Sequence, residues 1–254
     1  MPSGRSPKTS KEDMYLRTKQ ERAQYESAQY DSTHQQSTLH LQVVADLICP
    51  WCFIGKRSLD QALEILAGQG VDVEVEWLPY QLNPTMPPEG MDRKEFRTMR
   101  FGWENALAMD ARAVEAGRRA GAGFNYRLQS RTPNTVAAHA LAQLARAEGG
   151  ADLQDRVVDA LFVAYFTDGK DIGDHAMLAS IAEEAGMGPE AGQRSLQGHA
   201  VVRELDAEIR SSGLNGVPSY LLDGKLFFSG SQDVEGYVSR LTAAGRARAQ
   251  AAIG

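Results

Sequence analysis

The sequence predicts an α/β protein in which a β-α-β unit and a β-β-α unit flank a long helical block. Apolar runs typical of strands occur on both sides of the segment 92–212, which itself shows apolar stripes at helical spacing. The chain has 254 residues, of which 43% are hydrophobic and 24% charged. These are ordinary globular values, and the length suits one large domain or a domain with a sizeable insertion.

The β-α-β unit opens with residues 41–48, an apolar run that predicts a largely buried strand. A helix is predicted next, because Leu59, Ala62 and Leu66 recur at helical spacing. Residues 71–78 then alternate between apolar and polar side chains, which predicts a second strand.

Capping residues mark several helix ends in the block 92–212. Thr132 and Pro133 are typical of an N-cap and a first helical residue, and Asp174 precedes another apolar stripe. Gly186 and Gly213 follow the ends of two predicted helices. We therefore expect an all-helical insertion.

The β-β-α unit is predicted by a turn signal between two apolar runs. Asp223-Gly224 separates residues 219–222 from residues 225–229, and this dipeptide strongly favours a two-residue hairpin. An apolar stripe over 234–241 predicts the final helix.

Residues 1–38 differ from the rest, since they are polar, mixed in charge and poor in aliphatic side chains. Such a segment buries too little apolar surface to offset its ordering entropy, so we expect a mobile N-terminal extension. The strand-containing domain is then predicted to comprise 39–91 and 213–245, with 92–212 as its helical insertion.

The charge and hydropathy of the sequence indicate which classes of binding partner are unfavourable. The net charge of -6 and the lack of a Lys/Arg-rich tract argue against nucleic acid or an anionic membrane as the main partner. No apolar run approaches the roughly 18–20 residues of a membrane-spanning helix. The N-terminus shows no hydrophobic segment of a secretory signal, and we therefore expect a cytoplasmic protein.

Cys49 and Cys52 are the only two cysteines, and they lie where the first strand meets its helix. A thiol at a helix N-terminus faces unpaired N–H groups and the positive end of the helix dipole, which stabilise a thiolate. Cys49 is therefore the predicted nucleophile. Cys52, one turn further on, can attack and resolve a mixed disulfide. The spacing indicates redox chemistry.

Two alternatives for the cysteine pair are weaker. Two cysteines are too few for a disulfide scaffold in a chain of this size. A structural zinc site needs four ligands, but there is no second CxxC motif, and the five histidines show no close paired spacing. We expect no metal.

A strand followed by CxxC at a helix start, with β-β-α far downstream, resembles the thioredoxin fold, and the helical insertion resembles its DsbA-like branch. Three segments are similar to the FrnE-like subgroup of the DsbA family. These are the D-x-x-C-P-W-C-F-I-G-K run at 46–56, the W-L-P-Y-Q-L-N-P run at 77–84 and the G-L-N-G-V-P-S-Y run at 213–220. The resemblance covers roughly 39–245.

This resemblance implies a thiol–disulfide oxidoreductase with a redox-active Cys49–Cys52 disulfide and no bound cofactor. Its substrates would be cysteine-containing proteins or small thiols and disulfides, with glutathione as a candidate co-substrate. The resemblance also implies a cis Pro218, which leaves the backbone of Val217 free to pair with an extended substrate. Pro50 and Trp51, between the cysteines, would tune the reduction potential.

Three further sites are weighed against simpler structural roles. Asp46 could accept the proton of Cys52, but we favour a carboxylate that satisfies loop N–H groups. His139 lies in a segment similar to N-T-x-x-A-H-x-L of the subgroup, and we favour a packed, hydrogen-bonded histidine over a site role. For Lys56 and Arg57 we favour a solvated helix face.

Two other functions stay open. Relatives that resemble kappa-class glutathione transferases and 2-hydroxychromene-2-carboxylate isomerases share the fold and use glutathione, but they typically carry serine where Cys49 stands. A thioredoxin-like chaperone or binding module is the third hypothesis.

Overall fold

A computed structural model of the chain describes residues 38–251. Apart from its last residue, the predicted N-terminal extension lies outside this range. The first β-α-β unit has the predicted order. Its elements are β1 (Leu39–Ala45), α1 (Pro50–Gly68) and β2 (Val73–Pro79).

The helical block follows β2 and contains two very short strands as well. Its strands and α-helices are β3 (Met91–Asp92), α2 (Arg93–Phe101), α3 (Trp103–Ala120), β4 (Arg131–Thr132), α4 (Val136–Phe162), α5 (His175–Glu184), α6 (Ala191–Ser195) and α7 (His199–Ser211). A π-helical turn, Val163–Thr167, continues α4, and a 3-10 turn, Leu196–Gly198, joins α6 to α7. The last unit consists of β5 (Ser219–Leu222), β6 (Lys225–Ser229) and α8 (Val234–Ala251).

Within residues 38–251, the main sheet has four strands in the order β2-β1-β5-β6. β1 pairs parallel with β2 and antiparallel with β5, and β5 pairs antiparallel with β6. The predicted order β-α-β, helices, β-β-α is thus confirmed. The hairpin turn is at Asp223 and Gly224, whose φ angles of 50° and 76° suit the twist of the flanking strands.

The expectation of an all-helical insertion is corrected by β3 and β4, which pair antiparallel through Met91 and Thr132. Two-residue strands are too short to produce a period-two pattern, so the sequence does not reveal them. Because Thr132 belongs to β4, it is not the N-cap of α4, and the helix begins at Val136. The predicted cap at Asp174 is confirmed, since its side chain accepts a hydrogen bond from the N–H of Met177.

Helix α4 connects the helical block to the edge of the main sheet. The backbone N–H of Trp77 in β2 donates to Gln154 Oε1 over 2.9 Å, and Gln154 Nε2 donates back to the Trp77 carbonyl over 2.9 Å. A second amide, Gln143, donates to the same carbonyl over 2.8 Å. These contacts cover polar groups that an edge strand would otherwise expose.

An aromatic cluster joins α1 to the same part of the insertion. Phe53 stacks on Phe162 and Phe166, with ring centroids 5.4 Å and 5.6 Å apart, and meets Phe124 edge-on at 5.5 Å. Such pairs contribute beyond their buried area, so they stabilise the packing of α1, whose N-terminal end has both cysteines, against the insertion. Within the described range, none of the helices combines the length and hydrophobicity needed to cross a membrane.

The expected solvated helix face is wrong at Lys56, which is only 1% exposed. Its ammonium group lies 3.0 Å from Asp60 and 2.9 Å from Asp155 of α4. Arg57 is partly buried and pairs with Asp159 at 2.7 Å. Burial alone would lower the pKa of Lys56, but the carboxylates of Asp155 and Asp60 outweigh it and raise that pKa. The sequence hides this cluster because two of its acidic members, Asp155 and Asp159, come from a distant helix.

Candidate active site

Both cysteines lie at the N-terminal end of α1. Cys49 is the N-cap residue in an extended conformation, and Pro50 is the first helical residue. Proline suits this place because the N–H that it lacks would have no helical partner. The N–H of Cys52 donates to the Cys49 carbonyl over 3.1 Å. The predicted junction between strand and helix is therefore confirmed.

The two thiols are free in the structure and differ in their surroundings. Cys49 is 4% exposed and Cys52 is 1% exposed. Burial raises the pKa of Cys52 well above its ordinary value, and the hydrogen bond and charge of Cys49 raise it further. Cys52 is thus protonated at neutral pH, as a resolving thiol would be before its turn in the reaction.

The segment before β5 lies directly against Cys49. The Val217–Pro218 peptide bond is cis, the isomer that the resemblance implies. The thiol of Cys49 donates to the Val217 carbonyl oxygen, with the sulfur and the oxygen 3.9 Å apart. Pairing of β5 with β1 begins at Ser219, opposite Val44, so Val217 lies outside the ladder.

Asp46 and His139 meet beside this junction. Asp46 is fully buried, and its Oδ2 accepts a 2.6 Å hydrogen bond from the backbone N–H of Leu82. Its Oδ1 lies 3.4 Å from Nε2 of the buried His139 in α4. The negative charge of Asp46 is also among the smaller causes that raise the pKa of Cys52. Asp46 therefore makes the loop contact expected of a structural carboxylate and lies within electrostatic reach of the dithiol.

Behind the dithiol, two tyrosines pack on Gly55. The hydroxyl groups of Tyr220 in β5 and Tyr237 in α8 are hydrogen-bonded to each other. Burial raises the pKa of Tyr220 well above its usual range, and burial raises the pKa of Tyr237 to about 12. A Cβ atom at Gly55 would lie 2.7 Å from the Tyr220 hydroxyl oxygen, so this position needs glycine for close packing.

A cavity of about 580 Å³ opens beside Cys49. Trp51, which is 44% exposed, and Val217 also line it. Helices α2 and α3 supply much of the remaining lining, including Arg97 and Asp110. The insertion thus contributes directly to the surroundings of the dithiol.

Sequence reasoning missed the cationic part of this lining. Arg93, Arg97 and Arg100 all line the cavity from α2. Their spacing of four and three residues places them on one helix face, and this signal was present in the sequence. Within residues 38–251, no three side chains of histidine, cysteine, aspartate or glutamate lie together in a way that could hold a metal ion.

Known proteins match both the sequence and the fold. The model of the DSBA-like thioredoxin domain family matches residues 40–242. The uncharacterized protein YwbO of Bacillus subtilis is 30% identical over 151 residues, which cover 59% of this chain and 68% of that protein.

Solved structures agree with that match. The crystal structure of the probable DsbA oxidoreductase SCO1869 from Streptomyces coelicolor has a TM-score of 0.71 at 25% identity, and the match covers 81% of this chain and 89% of that one. The cytosolic disulfide reductase DsbM from Pseudomonas aeruginosa, solved with GSH, has a TM-score of 0.55 at 18% identity, with 85% and 99% covered. The second likeness concerns the fold alone.

Proposed function

Because the chain belongs to the DSBA-like thioredoxin domain family, an enzyme family of thiol–disulfide oxidoreductases, we propose that it exchanges disulfides through Cys49 and Cys52. The observation that carries this proposal is the unequal pair of free thiols at the start of α1. Cys49 is the N-cap residue of the helix and lines the cavity, whereas burial raises the pKa of Cys52 and keeps it protonated. We assign the protein to the FrnE-like subgroup on its three sequence segments.

The exchange proceeds in two steps. The Cys49 thiolate attacks one sulfur of a substrate disulfide, the substrate S–S bond breaks, and one thiolate leaves and takes up a proton. Cys52 then loses its proton and attacks the Cys49 sulfur, which releases the second substrate thiolate and closes the Cys49–Cys52 disulfide. Two electrons pass from the protein to the substrate, and the oxidised protein can run the same steps in reverse.

Val217 is the proposed substrate-binding residue. Its backbone lies outside the β1–β5 ladder and its carbonyl faces the Cys49 sulfur. An extended substrate segment can pair with this backbone as an added strand, a mode that recognises main-chain groups and tolerates many sequences. Pro218, which follows, fixes where the strand begins.

Asp46 is the proposed acceptor for the Cys52 proton, with His139 as a positioning residue. A buried carboxylate within electrostatic reach of a protonated thiol is a reasonable place for that proton during resolution. The Nε2 of His139 lies 3.4 Å from Asp46 Oδ1 without a hydrogen bond to it, so the buried imidazole packs beside the carboxylate from the side of the insertion.

Cysteine-containing proteins and small thiols or disulfides are the proposed substrates, and the cytoplasm is the proposed compartment. Glutathione is a candidate co-substrate, because the similarly folded DsbM was solved with GSH. The reduction potential of the Cys49–Cys52 pair decides the direction. A value near about −200 mV or lower indicates a reductant, and a value near about −120 mV indicates an oxidant.

An insulin-reduction assay with dithiothreitol tests the function. The full-length chain should accelerate insulin reduction, and Cys49→Ser should abolish this acceleration. A Ser211→Ala variant, altered on the exposed end of α7, is the matched control and should keep wild-type turnover. Turnover retained by Cys49→Ser would remove the basis of the assignment.

A further inference from the structure

The cavity beside the dithiol carries an excess of positive charge. Its charged lining consists of four arginines and one aspartate, namely Arg93, Arg97, Arg100, Arg112 and Asp110. A single carboxylate cannot neutralise four guanidinium groups, which stay protonated in proteins. The excess lies in the same cavity that Cys49 lines.

Asp110 is shared by the two inner arginines. Arg93 Nη2 lies 2.7 Å from one of its oxygens and Arg97 Nη2 lies 2.8 Å from the other. Within residues 38–251, Arg97 Nε is buried and has no hydrogen-bond acceptor. Burial lowers the pKa of Arg97 and the charge of Arg93 adds to this, although Asp110 opposes it. A buried cationic donor without an acceptor is unfavourable, so a negative charge placed in the cavity that Arg97 lines would stabilise its guanidinium group.

The outer two arginines are exposed, and neither forms an ion pair with a carboxylate of the described part of the chain. Arg100 lies over the ring of Phe101, with 5.9 Å between its guanidinium carbon and the ring centroid. Both guanidinium groups are therefore available to an anion that enters the cavity. Arginine suits carboxylates, because its planar fork matches their two oxygens.

Aromatic and apolar side chains form much of the remaining lining, among them Phe96, Phe101, Met109, Tyr126 and Trp51. The volume of about 580 Å³ lies in the range of small-molecule sites, about 300–1,000 Å³. The lining thus offers a flat apolar contact next to concentrated positive charge.

We propose that this cavity binds a small disulfide that carries a carboxylate on an aromatic or apolar body, and presents its S–S bond to Cys49. The inference rests on the proposed function and names a substrate class for it. Cys49 forms a disulfide with one half of the substrate and releases the other as a thiol. Cys52 then displaces the bound half, so the dithiol loses two electrons, which an added low-potential dithiol restores.

Two aromatic disulfides of similar shape provide the test. The reduced full-length protein is mixed with dithiobis(nitrobenzoate), which carries two carboxylates, or with dithiodipyridine, which is neutral. Each kcat/KM is divided by the rate constant of free dithiothreitol with the same compound, which removes differences in intrinsic reactivity. We expect the anionic compound to be favoured by roughly tenfold, and this preference to shrink as salt is added.

Arg100→Gln should reduce the preference roughly three- to tenfold, chiefly through a higher KM for the anionic compound. Arg119→Gln is the matched control, because Arg119 lies on α3, is exposed and contacts Glu115 instead of lining the cavity. The Arg119→Gln protein should favour the anionic compound over the neutral one by the same factor as the wild type.

Equal normalised rates for the two compounds in the wild type would overturn the inference, as would equal effects of Arg100→Gln and Arg119→Gln. It is also overturned if Arg100→Gln weakens turnover of an acidic cysteine peptide disulfide but spares dithiobis(nitrobenzoate), because the occupant would then be a peptide. Turnover of the neutral compound measures disulfide exchange itself. If this turnover is absent, the proposed function has failed, whereas a lost preference with turnover intact overturns only the inference about the cavity.

Discussion

Asp46 Oδ1 lies 3.4 Å from His139 Nε2, and both side chains are buried next to the dithiol junction. The two residues are 93 positions apart in the chain, one after β1 and one in α4. This contact joins the strand-containing part of the molecule to the insertion at the place where Cys52 would lose its proton in the proposed exchange. The proposed role of Asp46 therefore predicts a kinetic effect on resolution alone.

Asp46→Asn should slow the attack of Cys52 on the mixed disulfide by roughly tenfold to a hundredfold, because it removes the proton acceptor. The opposite sign is expected if Asp46 acts only through its charge. That charge contributes to the raised pKa of Cys52, so its loss would then speed resolution. Rapid-quench analysis of the mixed disulfide at neutral pH measures the step directly.

His139→Gln provides the comparison for this experiment. The substitution keeps Asp46 and removes the imidazole that faces it. We expect a smaller slowing of resolution than with Asp46→Asn, and no change in the rate at which Cys49 forms the mixed disulfide. An unchanged resolution rate over the whole pH range would assign His139 to packing only.

The raised pKa of Cys52 predicts a pH dependence of stability in the reduced protein. The folded state keeps this thiol protonated, whereas the unfolded chain loses the proton above an ordinary value of about 8.5. The stability that this difference contributes is therefore fully present below that pH. It declines as the pH rises toward the pKa of Cys52 in the folded state. Relative to Cys52→Ala, the free energy of unfolding should fall by up to about 1.4 kcal/mol per pH unit above pH about 8.5.

Urea unfolding of the reduced wild type and Cys52→Ala, measured from about pH 7 to about pH 9.5, checks this slope. The upper limit keeps tyrosine ionisation in the unfolded chain small, since its ordinary value is about 10. Parallel pH profiles for the two proteins would contradict the burial of a protonated Cys52.

Gly55→Ala should destabilise the protein by about 1–3 kcal/mol, the usual cost of overpacking a core. The new Cβ would lie 2.7 Å from the Tyr220 hydroxyl oxygen and 3.1 Å from that of Tyr237. In a Tyr220→Phe background the nearer oxygen is absent, so the same substitution should cost less. Chemical denaturation of all four proteins gives the coupling energy, and additive effects would show that the tyrosine is not the obstacle.

Lys56→Met should cost about 2 kcal/mol of unfolding free energy. It removes the cation that Asp60 and Asp155 share and leaves their negative charges close together. Removal of one partner from a fully buried pair costs about 3–5 kcal/mol. We expect less here, because the carboxylates are partly exposed and solvent screens them. Asp155→Asn should cost less than Lys56→Met, since Asp60 still pairs with the lysine, and the reverse order in urea titrations would contradict this account.

Much of the fold could be predicted from local sequence patterns. The cysteine pair at a helix start and the Asp223-Gly224 turn depend on neighbouring residues only, and the structure has both. The N-cap prediction at Thr132 was wrong because β4, to which Thr132 belongs, is two residues long and produces no alternating pattern in the sequence. The predicted solvated helix face at Lys56 was wrong because its partner Asp155 lies 99 positions away in the chain. A helix face that looks solvated in the sequence can be covered by such a distant helix.

The cavity could not be predicted from the sequence for a similar reason. The arginine face of α2 could have been noticed, but its place next to Cys49 depends on how the insertion packs on α1. That packing is set by contacts such as the one between Phe53 and Phe166. The sequence predicts the reacting groups, whereas the surroundings that select a substrate depend on tertiary structure.

Trapping of the mixed disulfide tests the central claim most directly. Cys52→Ser and Cys49→Ser proteins are each reduced, mixed with a disulfide substrate, quenched with acid and analysed by peptide mass spectrometry. The account predicts that Cys52→Ser accumulates substrate linked to Cys49, and that Cys49→Ser, whose remaining thiol is buried and protonated, accumulates none on the same timescale. Equal labelling of Cys52 in Cys49→Ser, or no adduct in Cys52→Ser, would contradict it.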